Sequence, residues 1–242
     1  MEIVIFVVSI ILNFTLTALI LRFLIPALKS LKMGQKILDI GPRWHKSKEG
    51  TPTMGGLSFI AACVLTTAVT VTFMALRDGP ESCTALLLTL AMALANGAIG
   101  VFDDMVKFSR KRNEGLRASH KYMLQLLVAG LYLFYMQMTG NLSTELYIPF
   151  VGMTFDLGIW YYVIALLVLT GIVNSVNLAD GVDGLVASET TVVGIFFASA
   201  AFYMGNFHAA FVAALVIGAC LGFLTYNFPP ARVFMGDTGA MF

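Results

Sequence analysis

The sequence predicts an all-α polytopic membrane protein: a single membrane-embedded domain over 1–242, with seven complete transmembrane helices, the start of an eighth and a short external β-hairpin. Three observations carry this. Of 242 residues, 58% are hydrophobic and 12% are charged, about half the ~25% charge of an ordinary soluble domain. The mean hydropathy is +0.84. Apolar stretches of spanning length recur along the whole chain, and Lys and Arg gather in alternate connections between them. These features exclude a water-soluble domain and make the lipid bilayer an obligatory partner. A net charge of +1 supplies no global field for a polyanion, so nucleic acid is not an expected partner.

A spanning helix needs roughly 20 mostly apolar residues. Seven stretches qualify: 3–28, 57–76, 83–102, 122–138, 159–176, 185–204 and 208–226. An eighth begins near Gly239. The first is preceded by Glu2 rather than a basic segment and is followed by no small-residue cleavage site, so it reads as a retained span. Cys63, Cys83 and Cys220 lie in or beside apolar runs without metal-ligand spacing and read as small packing residues.

The basic residues set the orientation. Lys29, Lys32, Lys36, Arg43, Lys46 and Lys48 fall in loop 29–56, and Lys107, Arg110, Lys111, Arg112, Arg117 and Lys121 in loop 103–121. Loops 139–158 and 205–207 hold no Lys or Arg. The basic loops are expected on the cytoplasmic side and the N-terminus outside. Residues 141–158 alternate partly, with Pro149 and Gly152 as punctuation, and predict the external β-hairpin.

With that orientation Asp103, Asp104, Asp180, Asp183 and Asp237, from three distant segments, all emerge on one face. The pair Asp103-Asp104 is expected at the C-terminal end of the third span. The helix dipole there disfavours acids by about 0.3–1 kcal/mol each, and the two repel. Local stability does not account for them, so replacing either with Asn is expected to leave folding unchanged or slightly improved. A hard cation such as Mg²⁺, which takes carboxylate and phosphate oxygens together, does account for them. Lys107 falls on the same helical face. In Asn174-Ser-Val-Asn177-Leu-Ala-Asp180-Gly-Val-Asp183-Gly, four polar side chains recur every third residue and form one stripe; Asp183 alone could equally cap the following span. Asp237, in Phe234-Met-Gly-Asp-Thr-Gly239, precedes the eighth span, where either a cap or a bound phosphate fits. Phe234 reads as an interfacial anchor or as a stacking surface for a base. The segment from His45 to Gly56 combines Lys46, Lys48, Thr51, Thr53 and three glycines and reads as a phosphate- or sugar-contacting loop. His120-Lys121 is a weaker signal of the same kind.

Taken together, Gly50-Thr-Pro-Thr-Met-Gly-Gly56, Asp103-Asp104-x-x-Lys107, Asn177-Leu-Ala-Asp-Gly-Val-Asp-Gly184 and Phe234-Met-Gly-Asp-Thr-Gly239 resemble the polyprenyl-phosphate N-acetylhexosamine-1-phosphate transferases. The Thr-Pro-Thr-Met-Gly-Gly loop is similar to that of the muramoyl-pentapeptide branch. The resemblance implies Mg²⁺-dependent transfer of phospho-MurNAc-pentapeptide from its UDP-activated donor, UDP-MurNAc-pentapeptide, to undecaprenyl phosphate at the bacterial plasma (inner) membrane, with release of UMP. Carried over by position, it makes Asp103, Asp104 and Asp180 catalytic and Asp237 the metal-associated acid. Lys48, Thr53, Lys121, Asn177, Asp183 and Asn227 become polar residues of the cleft, and Phe234 the aromatic that packs on uracil. It leaves open a homodimer, and a direct attack or a covalent aspartyl intermediate. The family carries further spans and a later loop with clustered histidines, so the sequence is expected to be partial at its C-terminal end. The alternatives are a sister transferase using UDP-GlcNAc and, from another class, a membrane transporter. Transporter acids usually lie mid-membrane on broken helices, whereas these sit near span ends.

Overall fold

The computed structural model describes residues 2–31, 50–110, 114–148 and 150–242. Within them the chain forms α1 (Glu2–Ser30), α2 (Gly56–Asp78), a 3₁₀ turn (Pro80–Cys83), α3 (Thr84–Arg110), α4 (Ala118–Met138), β1 (Glu145–Ile148), β2 (Met153–Asp156), α5 (Ile159–Ala179), α6 (Leu185–Tyr203), α7 (Phe207–Asn227) and the short α8 (Gly236–Ala240). β1 and β2 pair antiparallel, with Glu145 opposite Asp156 and Ile148 opposite Met153, so the expected hairpin forms within 141–158.

Among the described residues, six helices are long and apolar enough to cross a membrane: α1, α2, α3 together with its leading turn, α5, α6 and α7. The expected count of seven full spans is not matched on this measure. The helix at 122–138 exists, as α4, but it carries Lys121, Gln125, Gln137 and three tyrosines and is not among the six. Gln125 explains part of that polarity: it is buried, and its side-chain carbonyl accepts a hydrogen bond from Asn174 Nδ2 of α5 at 2.6 Å. The segment expected to open an eighth span forms α8.

α7 is the central helix, packed between α1, α6 and α2. Its Gly218 and Gly222, four residues apart, let α1 come close. A Cβ at Gly218 would lie 2.6 Å from the Ile10 carbonyl, and one at Gly222 would lie 2.7 Å from that of Phe14. Small residues at this spacing drive helix association where lipid removes any hydrophobic advantage. A polar clamp fixes the register. Asn13 of α1, fully buried, donates to the Leu215 carbonyl of α7 at 2.6 Å, and Thr66 of α2 donates to Asn13 Oδ1 at 3.4 Å. Each such bond is worth about 0.6 kcal/mol in a membrane. Phe59, Phe223, Val233 and Met235 close the core beneath the loops that precede α2 and α8.

Candidate functional site

Two loops meet at one end of the bundle. The Phe234 N–H donates to the Pro52 carbonyl at 2.8 Å, Gly55 N–H to the Phe234 carbonyl at 2.9 Å, and Gly56 N–H to the Met235 carbonyl at 3.0 Å. The Thr-Pro-Thr-Met-Gly-Gly segment and the Phe-Met-Gly segment thus form one short backbone ladder. It sets α8 against α3, where Gly100 leaves no room for a side chain: a Cβ there would run into the Asp237 carbonyl.

α3 continues to Arg110, so Asp103 and Asp104 lie about two turns before its end. The expectation that they sit at the helix C-terminus is corrected. Dipole effects are confined to the last turn and do not act on them. Other contacts do. Asp104, 6% exposed, accepts from Thr238 N–H at 2.9 Å, Thr238 Oγ1 at 2.7 Å and, at greater length, Asp237 N–H at 3.3 Å. It holds the first turn of α8. Asp103, 3% exposed, accepts from Leu116 N–H at 2.7 Å through one oxygen and pairs with Lys107 at 2.7 Å through the other.

Lys107 is the hub. Its ammonium lies 2.7 Å from Asp103, 2.9 Å from Asp237 and 3.9 Å from Asp104. Lys121 adds a second cation, 2.5 Å from Asp237 Oδ2 and 3.9 Å from Asp103. Burial would raise the Asp237 carboxyl, but the hydrogen bonds it shares with Asp103, Lys121 and Lys107, and the Lys107 charge, outweigh burial and hold it at about 2. Asp180, which follows the last turn of α5, has no such cation among the described residues. Burial, then the nearby Asp237, Asp104 and Asp183 carboxylates, push its carboxyl up to about 7.

One oxygen from each of Asp103, Asp104 and Asp237 lies within 4.8 Å of the others. An all-oxygen donor set suits a hard divalent cation. The Lys107 ammonium already occupies the point where the three converge, so the position favours positive charge whatever fills it.

The remaining expected residues divide into two groups. Thr53 stands beside the cluster, since a side chain at Gly236 would approach both Thr53 Oγ1 and Asp104 Oδ2. Asn177 and Phe234 are half-buried. Asn227 and Asp183 act on the backbone: Asn227 accepts from Gly184 N–H at 2.9 Å and donates to the Val233 carbonyl at 2.9 Å, and Asp183 accepts from Ala231 N–H at 3.1 Å. Asp183 thus ties the loop after α7 to the start of α6, whose N-cap is Gly184. Lys48 falls outside the described residues. Thr238 emerges as central although sequence reasoning did not assign it to the site, and Lys107, read from sequence as sharing the helical face of the acid pair, proves to be the hub. Both lay inside the motifs, but nothing in the spacing tells which motif residue touches which.

Comparison with known proteins agrees with this arrangement. The glycosyl transferase family 4 profile matches residues 85–242, well over half of the chain, and the phospho-N-acetylmuramoyl-pentapeptide-transferase signature 1 matches residues 48–60. The chain is similar to the phospho-N-acetylmuramoyl-pentapeptide-transferase of Geobacillus thermodenitrificans, 40% identical over 98% of this chain and 71% of the relative. Those of Heliobacterium modesticaldum (44% identical; 90% of this chain, 65% of the relative) and Clostridioides difficile (39% identical; 94% and 68%) are similar to it as well. The chain thus spans about two thirds of the length of the relatives it matches. A profile match across α3 to α8, a signature on the loop that pairs with Phe234, and about 40% identity along nearly the whole chain place this multi-pass membrane protein in glycosyl transferase family 4, among the phospho-N-acetylmuramoyl-pentapeptide-transferases.

Proposed function

We propose that the protein transfers phospho-MurNAc-pentapeptide from its UDP-activated donor to undecaprenyl phosphate, releasing UMP. The observation that carries this reading is the meeting of three carboxylates and two lysines at the ladder between the signature loop and the Phe-Met-Gly loop. The signature and the relatives' names favour the muramoyl donor over a UDP-GlcNAc donor. Acids placed at the bundle end favour an enzyme over a transporter.

The lipid phosphate oxygen attacks the phosphorus carried by the sugar, a new P–O–P link forms, and the bond to UMP breaks. Phosphoryl transfer depends mainly on positioning and charge neutralisation. Asp104 is engaged by α8, so its role is to hold Asp237 in register. Asp103, fixed by Leu116 N–H and Lys107, orients the acceptor phosphate; that phosphate already carries about −1.5 to −2 charges and needs little help from a base. Lys107 and Lys121 neutralise the diphosphate and the departing UMP. Phe234 stacks on the uracil; Thr53, Asn177 and Asp180 line the cleft, with Lys48 contributing from the signature loop. Asp237, with Asp103, would hold Mg²⁺, which when bound supplies further neutralisation of diphosphate oxygens. The excess of Lys and Arg in loops 29–56 and 103–121 supports a cytoplasmic active face, an external N-terminus and one membrane-embedded domain.

The test is transfer of radiolabelled phosphosugar from UDP-MurNAc-pentapeptide to undecaprenyl phosphate by the purified full chain, with and without Mg²⁺. Asp237→Asn and Asp103→Asn should each reduce transfer by roughly 10²-fold or more while the protein stays folded. A folded Asp103→Asn/Asp237→Asn double variant with near-normal transfer would sink the assignment.

A further inference from the structure

Away from the acid cluster, but at the same end of the bundle, a cavity of about 550 Å³ opens between α1, the end of α7 and the loops before α2 and α8. Arg22, Lys29 and Arg232 line it, together with Ile25, Thr51 and Tyr226. No acidic residue among the described residues does so, and none of the three cations is paired with a carboxylate of the described residues. Arg22, Ile25 and Lys29 recur at i, i+3 and i+7 and share one face of α1, with the two charges about 10 Å apart along the axis. Arg232 approaches from the loop after α7. Tyr226 supplies an aromatic wall with a hydroxyl.

Three cations around one cavity at the end of a spanning helix, without a carboxylate partner among the described residues, call for an anion. Arg guanidinium groups match phosphate oxygens with paired N–H donors. The neighbouring surface of α1 is apolar and open, with Phe23 68% and Leu19 49% exposed, which suits acyl chains below a charged headgroup. We infer that this cavity binds the phosphodiester headgroup of an anionic phospholipid. The acceptor lipid is a poorer occupant, because no residue of the acid cluster lines the cavity and its phosphate would be held away from the reacting groups. The inference does not rest on the proposed transfer reaction. The two share one element: Ala231 lines the cavity while its N–H holds Asp183, so an occupied cavity would also steady the loop carrying Phe234.

The test uses the full chain in nanodiscs and spin-labelled lipids, read by electron paramagnetic resonance. Spin-labelled phosphatidylglycerol should associate more strongly than phosphatidylcholine. The Arg22→Gln/Lys29→Gln/Arg232→Gln variant should lose that preference on the order of 10²-fold, from about one juxtamembrane charge contribution per residue. Arg22→Lys/Arg232→Lys should keep most of it, which separates charge from a packing role. An unchanged preference in the triple Gln variant overturns the inference. So does displacement of the label by millimolar inorganic phosphate, which would make the cavity a free-phosphate site. Preferential binding of polyprenyl phosphate over phosphatidylglycerol would make it a station for the acceptor and overturn the inference as well.

Discussion

Asp104→Asn separates a structural role for this acid from a purely catalytic one. From sequence alone the change relieves repulsion and should leave folding unchanged or slightly improved. The structure reverses the sign. The carboxylate accepts three hydrogen bonds, two of them from Thr238, whose side chain is fully buried. An Asn has one acceptor oxygen. If that oxygen takes the Thr238 pair, its amide N–H₂ faces the Asp237 N–H, donor against donor. If it turns round, two Thr238 donors are orphaned. A buried donor without a partner costs about 1–3 kcal/mol. At roughly 2–4 °C per kcal/mol for a chain of this size, Tm in detergent should fall by about 3–10 °C. A double-mutant cycle with Thr238→Val locates the loss: the Asp104–Thr238 coupling should be about 1 kcal/mol or more. A Tm at or above wild type for Asp104→Asn, or zero coupling, refutes the reasoning and leaves Asp104 free for catalysis.

Lys107→Met removes the ammonium at the meeting point of three carboxylates. The variant should be less stable without metal and gain more from Mg²⁺ than wild type does, measured as the Mg²⁺-dependent rise in Tm; an equal or smaller gain contradicts a shared position. Gly100→Ala drives a methyl into the Asp237 carbonyl and should cost about 1–3 kcal/mol by overpacking, with transfer lost in parallel; wild-type Tm would show that α3 and α8 are further apart. Asp180 gives a pH signature. Its carboxyl is pushed up to about 7, well above the ordinary carboxylate range of about 4, so the protonated form is favoured by folding and that stability is lost as pH rises from about 4 through 7. Without Mg²⁺, wild-type Tm should fall relative to Asp180→Asn across that window and run parallel above it; parallel curves throughout contradict a raised Asp180 carboxyl.

Composition and spacing alone determined the membrane class, the helical segments and the hairpin, because spanning length and charge bias are properties of local sequence that the bilayer reads directly. They also picked out the acids, since carboxylates near span ends are hard to explain otherwise. Spacing put Lys107 on the face of the acid pair, but sequence could not say that α3 runs on as far as Arg110: the polar residues beyond the apolar stretch read as loop, yet they extend the helix. Nor could it say that Gln125 of α4 bonds to Asn174, or that Asn227 and Asp183 hold the backbone of Gly184, Val233 and Ala231. Each of these depends on a partner between 4 and 134 residues away. The two acids of one dipeptide part company for that reason. Asp103 meets the lysines and Asp104 meets α8, because helical rotation turns adjacent side chains about 100° apart and only the packed fold decides what stands on each side.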